Sequence, residues 1–473
     1  MLLKCIPVPC AAVLALAGGV TAAYSAAVPT SDTAITLTGR SISVQGSGAV
    51  ASGNRVTINR SGTFNVSGKL DDGQLIVDTP DKALVRVVLN NASITSTSAA
   101  PIEIRTAELV EIALPAGSSS VVAGGPPLGA TSGATDRPNA AIYSREDLSI
   151  DGPGALQVRA TQHGINSRDD LKILGGNLRI TAGNDGLKAN DELRISGGDV
   201  TINAGGDGLQ ADKQISVRGG TLVVEARDDA INCDGELTIS GGVLRLAAGN
   251  DGIHSDGKLT VAGGDVQLSR SFEGLEGAVI VISGGRVQLV SSDDGVNVAN
   301  DRFGAETYMA IRGGTLIIDA AGDGLDSSNS PVEMSGGTVI VHGPTMRGNG
   351  PIDYDHSFRV TGGLLLAAGS ASMSQAPSPS STQNSVRVNL PTMHPGNTPV
   401  RIATASGELV LEFTPAKAYQ SLVVSSPKLR QNETYVVYLG GADGGGGTEA
   451  ARFTVSSAVT AVGSGGERGG RRR

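Results

Sequence analysis

The amino-acid sequence predicts an all-β protein: a right-handed parallel β-helix whose coils of about 22 residues stack into a solenoid, with a small C-terminal β module. Gly-Gly pairs recur at intervals of 21 to 29 residues, from Gly175-Gly176 to Gly362-Gly363. Between them lie short segments that alternate apolar with polar residues, such as Leu193-Arg194-Ile195-Ser196, which is typical of strands. The chain has 67 glycines, six Phe, seven Tyr and no Trp, so stacked aliphatic side chains must fill its core.

Equivalent residues of successive coils are expected to form ladders along the solenoid, about 4.8 Å apart. Cys233 falls in a column of small residues with Ala189, Ala211 and Ser255, which predicts a packed thiol rather than a nucleophile. One buried aliphatic ladder is predicted to contain Leu187, Leu209, Ile231, Ile253, Leu275, Val296 and Leu325.

The first 27 residues are typical of a secretory signal. Lys4 supplies a basic start, the segment 11–23 is apolar, and small residues suited to cleavage follow. Removal of this segment would take Cys5 and Cys10 with it and leave Cys233 without a disulfide partner. The protein is therefore expected to be secreted, whether extracellular, at the cell surface or periplasmic.

The remaining chain divides by composition. The β-helix is predicted over 28–372, with an inserted loop at about 116–138. A Ser- and Pro-rich connector at 373–398, a β module at 399–460 and a disordered basic tail at 461–473 are predicted to follow.

The charge balance limits the kinds of partner that the protein is expected to bind. With 37 basic and 46 acidic residues, the net charge of −9 disfavours nucleic acid and favours bound cations. No apolar run is long enough for a transmembrane segment, and the chain is expected to act as a monomer.

Two columns of acidic residues run through the repeats. Asp-Gly is a favoured turn dipeptide, so solvated turns are one interpretation. However, Ala230 replaces the glycine after Asp229, and Glu273 replaces the aspartate before Gly274, so the negative charge persists where the turn dipeptide does not. The first column contains Asp185, Asp207, Asp229, Asp251, Glu273, Asp294 and Asp323, and the second, five residues later, contains Asn190, Asp212, Asp234 and Asp256, with Asp191 beside Asn190 and Asp326 as a looser member.

Stacked charges of one sign need compensation. Two carboxylates 4.8 Å apart repel by roughly 3 kcal/mol at an effective dielectric constant near 20. Interleaved basic residues are few, chiefly Lys188 and Lys213. Oxygen ligands in a flexible turn suit Ca²⁺ better than Mg²⁺ or Zn²⁺, so the columns predict calcium sites. One further slot, containing Lys188, Gln210, Asn232 and His254, is predicted to contact a bound ligand.

The repeats resemble those of a secreted bacterial family of carbohydrate-binding proteins with a calcium-binding, pectate-lyase-like parallel β-helix. The resemblance rests on segments such as Gly183-Asn184-Asp185-Gly186-Leu187-Lys188 and Asn250-Asp251-Gly252-Ile253, and extends to Gly62-Thr63-Phe64-Asn65-Val66 and Thr434-Tyr435-Val436. It implies binding of plant cell-wall polysaccharides, cellulose and acidic pectic chains, without proven cleavage.

The same resemblance implies that the aspartates of the Asp-Gly repeats hold the calcium. Asp185, Asp207, Asp251, Asp294 and Asp323 match this motif directly. Asp229 lacks its glycine and Glu273 has a longer side chain, which leaves metal binding in those two coils open. Ala100, Ala140 and His163 occupy the same slot in earlier coils, which predicts no metal there.

Two other functions remain open at the sequence level. A calcium-dependent polysaccharide lyase would need a base near the scissile C5 proton, and Lys188, Arg168 and His254 are the basic residues near the columns. A structural or adhesive surface solenoid is the second of these. Without Trp and with few Tyr, the chain offers no evident stacking platform for neutral sugars, which favours acidic glycans.

Overall fold

The computed structural model describes residues 33–125, 137–299, 306–328, 330–441 and 447–463. The described part is all β, with no helix, and forms a solenoid of about 13 coils. The parallel β-helix predicted from the repeat is therefore confirmed. Because the described residues contain no helix, none of them supplies a helical span across a membrane. The predicted signal segment and most of the basic tail lie outside the described residues.

Each complete coil has three strands, which belong to three parallel ladders that we call the first, second and third sheets. In one coil these are Asn177–Ala182, Leu187–Ala189 and Glu192–Ile195. The next coil repeats them 22 residues later, in unbroken register, as Ala182 pairs with Ala204 and Leu187 with Leu209. The 22-residue period is thus the length of one turn of backbone.

The first sheet contains the longest strands of most coils. Its members are Thr33–Gly39, Gly62–Leu70, Val85–Ser96, Ser119–Gly124, Ala155–Ala160, Asn177–Ala182, Asp199–Ala204, Thr221–Ala226, Val243–Ala247, Asp265–Leu268, Arg286–Ser291, Thr315–Ala320, Thr338–His342 and Leu364–Gly369.

The second sheet is made mostly of short strands, and two of its strands continue into the third sheet. Its members are Arg55–Ile58, Gln74–Asp78, Ile102–Thr106, Ala140–Ser144, His163–Ser167, Leu187–Ala189, Leu209–Ala211, Ile231–Cys233, Ile253–Val261, Leu275–Ile282, Val296–Val298, Leu325–Ser327 and Asp353–Tyr354.

The third sheet completes each coil before the Gly-Gly corner. The first halves of Gly62–Leu70 and Val85–Ser96 also belong to it. Besides these and the shared strands Ile253–Val261 and Leu275–Ile282, its members are Val110–Ala113, Leu148–Asp151, Leu171–Ile173, Glu192–Ile195, Gln214–Val217, Glu236–Ile239, Tyr308–Ile311, Pro331–Met334 and Ser357–Val360.

The ends depart from this plan. Hairpins formed with Ser41–Gln45 and Ala49–Ser52 lie at the N-terminal end. At the other end, Ser385–His394 pairs with Tyr419–Ser425 and Val459–Val462, so the segment treated as a connector contains a strand. Tyr419–Ser425 also pairs with the last first-sheet strand, and a separate antiparallel sheet holds Val400–Thr404, Leu409–Phe413, Thr434–Leu439 and Thr448–Thr454.

The core is a stack of aliphatic residues. The predicted ladder from Leu187 to Leu325 is in register and at most 1 % exposed. Cys233 lies in the predicted small-residue column and is fully buried, which raises the pKa of its thiol to about 11. The predicted insertion at 116–138 was partly wrong, because Ser119–Gly124 is an ordinary first-sheet strand; residues 126–136 lie outside the described chain.

Candidate functional site

The first acidic column lies at the corner between the first and second sheets. Register pairing of the strands that follow places its members in one row along the solenoid. Asp185, Asp207, Asp229 and Asp251 are at most 8 % exposed, whereas ordinary turn carboxylates are solvated. The corner therefore carries a buried row of acids.

Each of these carboxylates is bonded to the coil that follows it. Oδ1 of Asp185 accepts the backbone N–H of Asp207 at 3.1 Å, and Oδ1 of Asp207 accepts that of Asp229 at 3.0 Å. The pattern continues to Asp251 at 2.8 Å. Glu273 departs from it, since its carboxylate accepts instead from Nδ2 of Asn297 at 2.8 Å. One oxygen of each aspartate thus holds the coils together and the other is left for further partners.

Where a glycine follows an acid of the column, it packs closely against the core. None of these glycines has a positive φ, whereas the second glycine of each Gly-Gly pair does, as in Gly198 at +83°. A Cβ at Gly252 would lie 2.0 Å from Cδ2 of Leu268, and one at Gly208 would lie 2.3 Å from Cγ1 of Val224. The Asp-Gly dipeptide therefore brings the chain close to the core, and the burial of its carboxylates contradicts the interpretation of these residues as solvated turns.

A polar ladder on the second sheet faces the acidic column. Lys188, Gln210, Asn232 and His254 occupy one slot, as the spacing predicted. Asp326 was placed wrongly, because register puts it in this ladder rather than in the second acidic column. The ladder continues beyond His254 with Glu276, Asn297, Asp326 and Asp353.

The polar ladder supplies partners that the sequence did not reveal. Nδ2 of Asn232 donates to Oδ2 of Asp207 at 3.1 Å. Nδ1 of His254 lies 3.7 Å from Oδ2 of Asp229. These contacts join residues about one coil apart, so the carboxylates have more side-chain partners than their spacing in the sequence suggested.

A histidine stands at the head of the column. His163 occupies the slot of Asp185 in the preceding coil, and its Nδ1 lies 3.0 Å from Oδ2 of Asp185. Burial opposes ionisation of Asp185, but His163 and then Lys188 outweigh it and lower its pKa. The column therefore begins with a charge-compensated carboxylate.

Further along the column, the negative charges of the carboxylates are not compensated by nearby basic side chains within the described part of the chain. Burial, followed by the charges of Asp185 and Asp229, raises the pKa of Asp207 to about 7. Burial likewise raises the pKa values of Asp294 and Asp323 to about 7. These positions hold negative charge at neutral pH only at an energetic cost, so a cation would relieve them.

One coil contains a mixed acid–base group. The carboxylate of Asp229, 3.7 Å away, with the nearby charge of Glu276, raises the pKa of His254 to about 9. Burial and the charges of Glu273 and Asp251 raise the pKa of Glu276 to about 8. His254 is therefore protonated at neutral pH, which suits charge pairing rather than proton abstraction.

The second acidic column differs in character, because Asp212 and Asp234 are exposed. Asp191 is paired with Nζ of Lys213 at 2.6 Å, and Asp212 accepts from Nε2 of Gln210 at 3.1 Å. Asp256 lies 3.4 Å from Nε2 of His254. Asn190 and these acids border the polar ladder on its far side.

Among the residues that the structure describes, candidate metal ligands converge at four places, where carboxylate or imidazole atoms lie within 4.8 Å of one another. Sequence reasoning missed Asp228, which simply precedes Asp229, and Glu276, whose slot was detectable from the spacing. The groups are Asp207–Asp228–Asp229, Asp229–Asp251–His254, Asp251–Glu273–Glu276 and Asp147–Asp169–Asp170.

The last of these groups differs from the others. It lies at the corner between the second and third sheets, just before the paired strands Leu148–Asp151 and Leu171–Ile173. Lys172 reaches Asp170 at 2.8 Å and Asp147 at 3.8 Å. Its charge is thus partly compensated by the protein itself.

An exposed aromatic side chain borders the site. Phe272 directly precedes Glu273 and is 46 % exposed, in a slot that holds Asn184, Asp228 and Asn250 in other coils. No stacking platform was predicted from the sequence, because the repeat pattern does not reveal that this ring is exposed. Phe272 is therefore a candidate surface for a sugar ring.

Comparison with known proteins adds three findings. A family model described as "Carbohydrate-binding domain-containing protein" matches residues 52–251 and 246–389. A protein of that description from Acetivibrio thermocellus is 39 % identical over 132 residues, which is 28 % of this chain and 46 % of the relative, so the match spans about half of that relative's length. A solved structure described as the polysaccharide lyase-like protein from C. thermocellum, a gadolinium derivative, is 32 % identical with a TM-score of 0.46, and the match covers 49 % of this chain and 97 % of that one.

Proposed function

Because the chain belongs to the family of carbohydrate-binding domain-containing proteins, we propose that it is a secreted, calcium-dependent polysaccharide-binding protein that does not cleave its ligand. The observation that carries this proposal is the buried acidic column beside the polar ladder. Together they form a face that offers a polar side chain about every 4.8 Å, a repeat suited to an extended polymer.

The donor chemistry of two groups fits calcium. Asp207, Asp228 and Asp229 offer only carboxylate oxygens, as do Asp251 and its two glutamate neighbours. Such oxygen sets with flexible geometry are what Ca²⁺ prefers. The group that contains His254 fits less well, because imidazole nitrogen is a poor calcium ligand. When bound, the ion would supply positive charge to the column and to a carboxylate of the ligand.

Acidic, pectin-like glycans are the favoured ligand class, ahead of cellulose. Phe272 offers one exposed aromatic ring near the column, which is little for stacking along a flat neutral chain. A uronate chain, in contrast, presents carboxylates that a metal ion can bridge to the acids of the protein.

Binding without cleavage is favoured by the state of the basic residues. Abstraction of the C5 proton in a lyase needs an unprotonated base. His254 is held protonated by Asp229, and Lys188 lies 3.9 Å from Asp185 and also donates to Gln210. Arg168 has partners of its own. A pectate-type lyase remains the alternative that the experiment must address.

Retention on polygalacturonate tests both parts of the proposal. We expect the protein to be retained with Ca²⁺ and released by a chelator, with no rise in ultraviolet absorbance from unsaturated products. Equal retention with and without chelator would contradict the calcium dependence, and unsaturated product would establish the lyase.

A further inference from the structure

A groove of about 390 Å³ lies beside the acidic column, at the end of the first sheet. Its floor includes Ala204, Gly205, Ala226 and Gly249. It borders the column directly, because Gly205 leads into Asp207 within two residues. The groove is distinct from the polar ladder, which lies on the other side of the column.

The groove is shaped by substitutions in the repeat. Arg227 occupies the slot of Gly205, since their backbone N–H groups bond the equivalent carbonyls Ala204 and Ala182. Gly249 lies close behind Arg227, because a Cβ there would lie 2.0 Å from the Arg227 carbonyl oxygen. Arg227 therefore projects between two positions that carry no side chain.

A second arginine closes the groove. Arg270 is exposed and lines the groove, and its carbonyl accepts the N–H of Ala248 at 2.9 Å. The small buried residue of this coil is the next one, Ser271. Arg227 is likewise exposed and lines the groove. Two cations thus stand at this corner of the solenoid.

Neither guanidinium is engaged within the described chain. Arg227 and Arg270 make no side-chain hydrogen bond or ion pair with any residue that the structure describes, whereas Arg194 and Arg359 are paired with glutamates. Glu225 lines the same groove and is exposed, but it pairs with neither. The two fork-shaped donors are therefore available to a ligand.

We propose that this groove binds the carboxylate of a uronic acid residue in an acidic polysaccharide. Guanidinium groups recognise carboxylates through paired N–H donors, while Asn203 and Glu225 offer a donor and an acceptor for sugar hydroxyls. The inference rests on the proposed polysaccharide binding and deepens it. It also explains how a protein with a net charge of −9 attracts an anionic polymer.

Oligogalacturonate titrated calorimetrically against the full chain in Ca²⁺ tests this site. The double variant Arg227→Gln/Arg270→Gln is expected to bind about tenfold more weakly. Arg218→Gln, which removes the same charge from the Gly-Gly corner of a neighbouring coil, is expected to bind like the parent. The methyl-esterified oligomer, which has no carboxylate charge, is expected to bind weakly and equally to parent and double variant.

The outcomes separate this site from the proposed function. Parent-like affinity of the double variant, or an equal loss in Arg218→Gln, would overturn the arginine groove while leaving polysaccharide binding intact. Failure of the parent protein to bind either oligomer would overturn the proposed function and this site with it. Unchanged circular dichroism and thermal unfolding of the variants confirm that any loss is local.

Discussion

Neutralising Asp207 should reveal whether the acidic column is under electrostatic strain without metal. Burial, with Asp185 and Asp229 nearby, moves the pKa of Asp207 from 3.8 to about 7. Such a change corresponds to at most about 4 kcal/mol, and because an effective dielectric constant near 20 describes even buried sites, we take about 2 kcal/mol as the cost. Asp207→Asn removes this cost and keeps the Oδ1 that accepts the Asp229 N–H at 3.0 Å.

The sign follows from linkage. The folded pKa of Asp207 lies above its unfolded value, so the folded state binds the extra proton between pH 4 and 7. Stability of the parent is therefore lost as pH rises through this window, and the Asn variant escapes the loss. The variant loses one favourable contact, because its new amide cannot accept from Asn232, which costs about 1 kcal/mol. We expect a net gain of about 1 kcal/mol at pH 8.

Urea unfolding with chelator at pH 4.5 and pH 8 measures this effect. The variant should gain stability over the parent as pH rises, and with Ca²⁺ the order should reverse because a ligand is lost. Asp199→Asn, at an exposed position of the same coil, should show no change in either condition. Destabilisation of Asp207→Asn at pH 8 in chelator, equal to that in Ca²⁺, would refute the reasoning.

Other perturbations test the surroundings of the column. Phe272→Ala should weaken retention on polygalacturonate several-fold without changing the unfolding temperature, and Val223→Ala, at another exposed apolar position, serves as the matched control; parent-like retention would exclude stacking. Gly252→Ala should destabilise by about 2–3 kcal/mol in urea unfolding, because its Cβ would meet Leu268 at 2.0 Å, and unchanged stability would contradict the packing role of this glycine. Cys233 should react with a thiol reagent only on unfolding, because burial raises its pKa to about 11; rapid labelling of the native protein would contradict this.

The repeat made the fold and the first column predictable. A strict 22-residue period aligns equivalent residues, so Lys188 and Gln210 could be assigned to one slot before the structure was known. Asp326 was misplaced because its acidic side chain suggested a column that its backbone register excludes.

Contacts between coils were beyond sequence reasoning. The bond between Asn232 and Asp207 depends on side-chain direction across one turn of the solenoid. The outward ring of Phe272 and the unpaired guanidinium of Arg227 likewise depend on how much each corner is covered, which a linear pattern does not report.

Calorimetric unfolding in Ca²⁺ and in chelator tests the central claim most directly. If the acidic column binds calcium only when folded, one site at a hundredfold excess over its dissociation constant adds about 2.7 kcal/mol. We expect a higher unfolding temperature in Ca²⁺ than in chelator, and a smaller difference between the two in Asp207→Asn. Identical unfolding temperatures of the parent in Ca²⁺ and in chelator would contradict it.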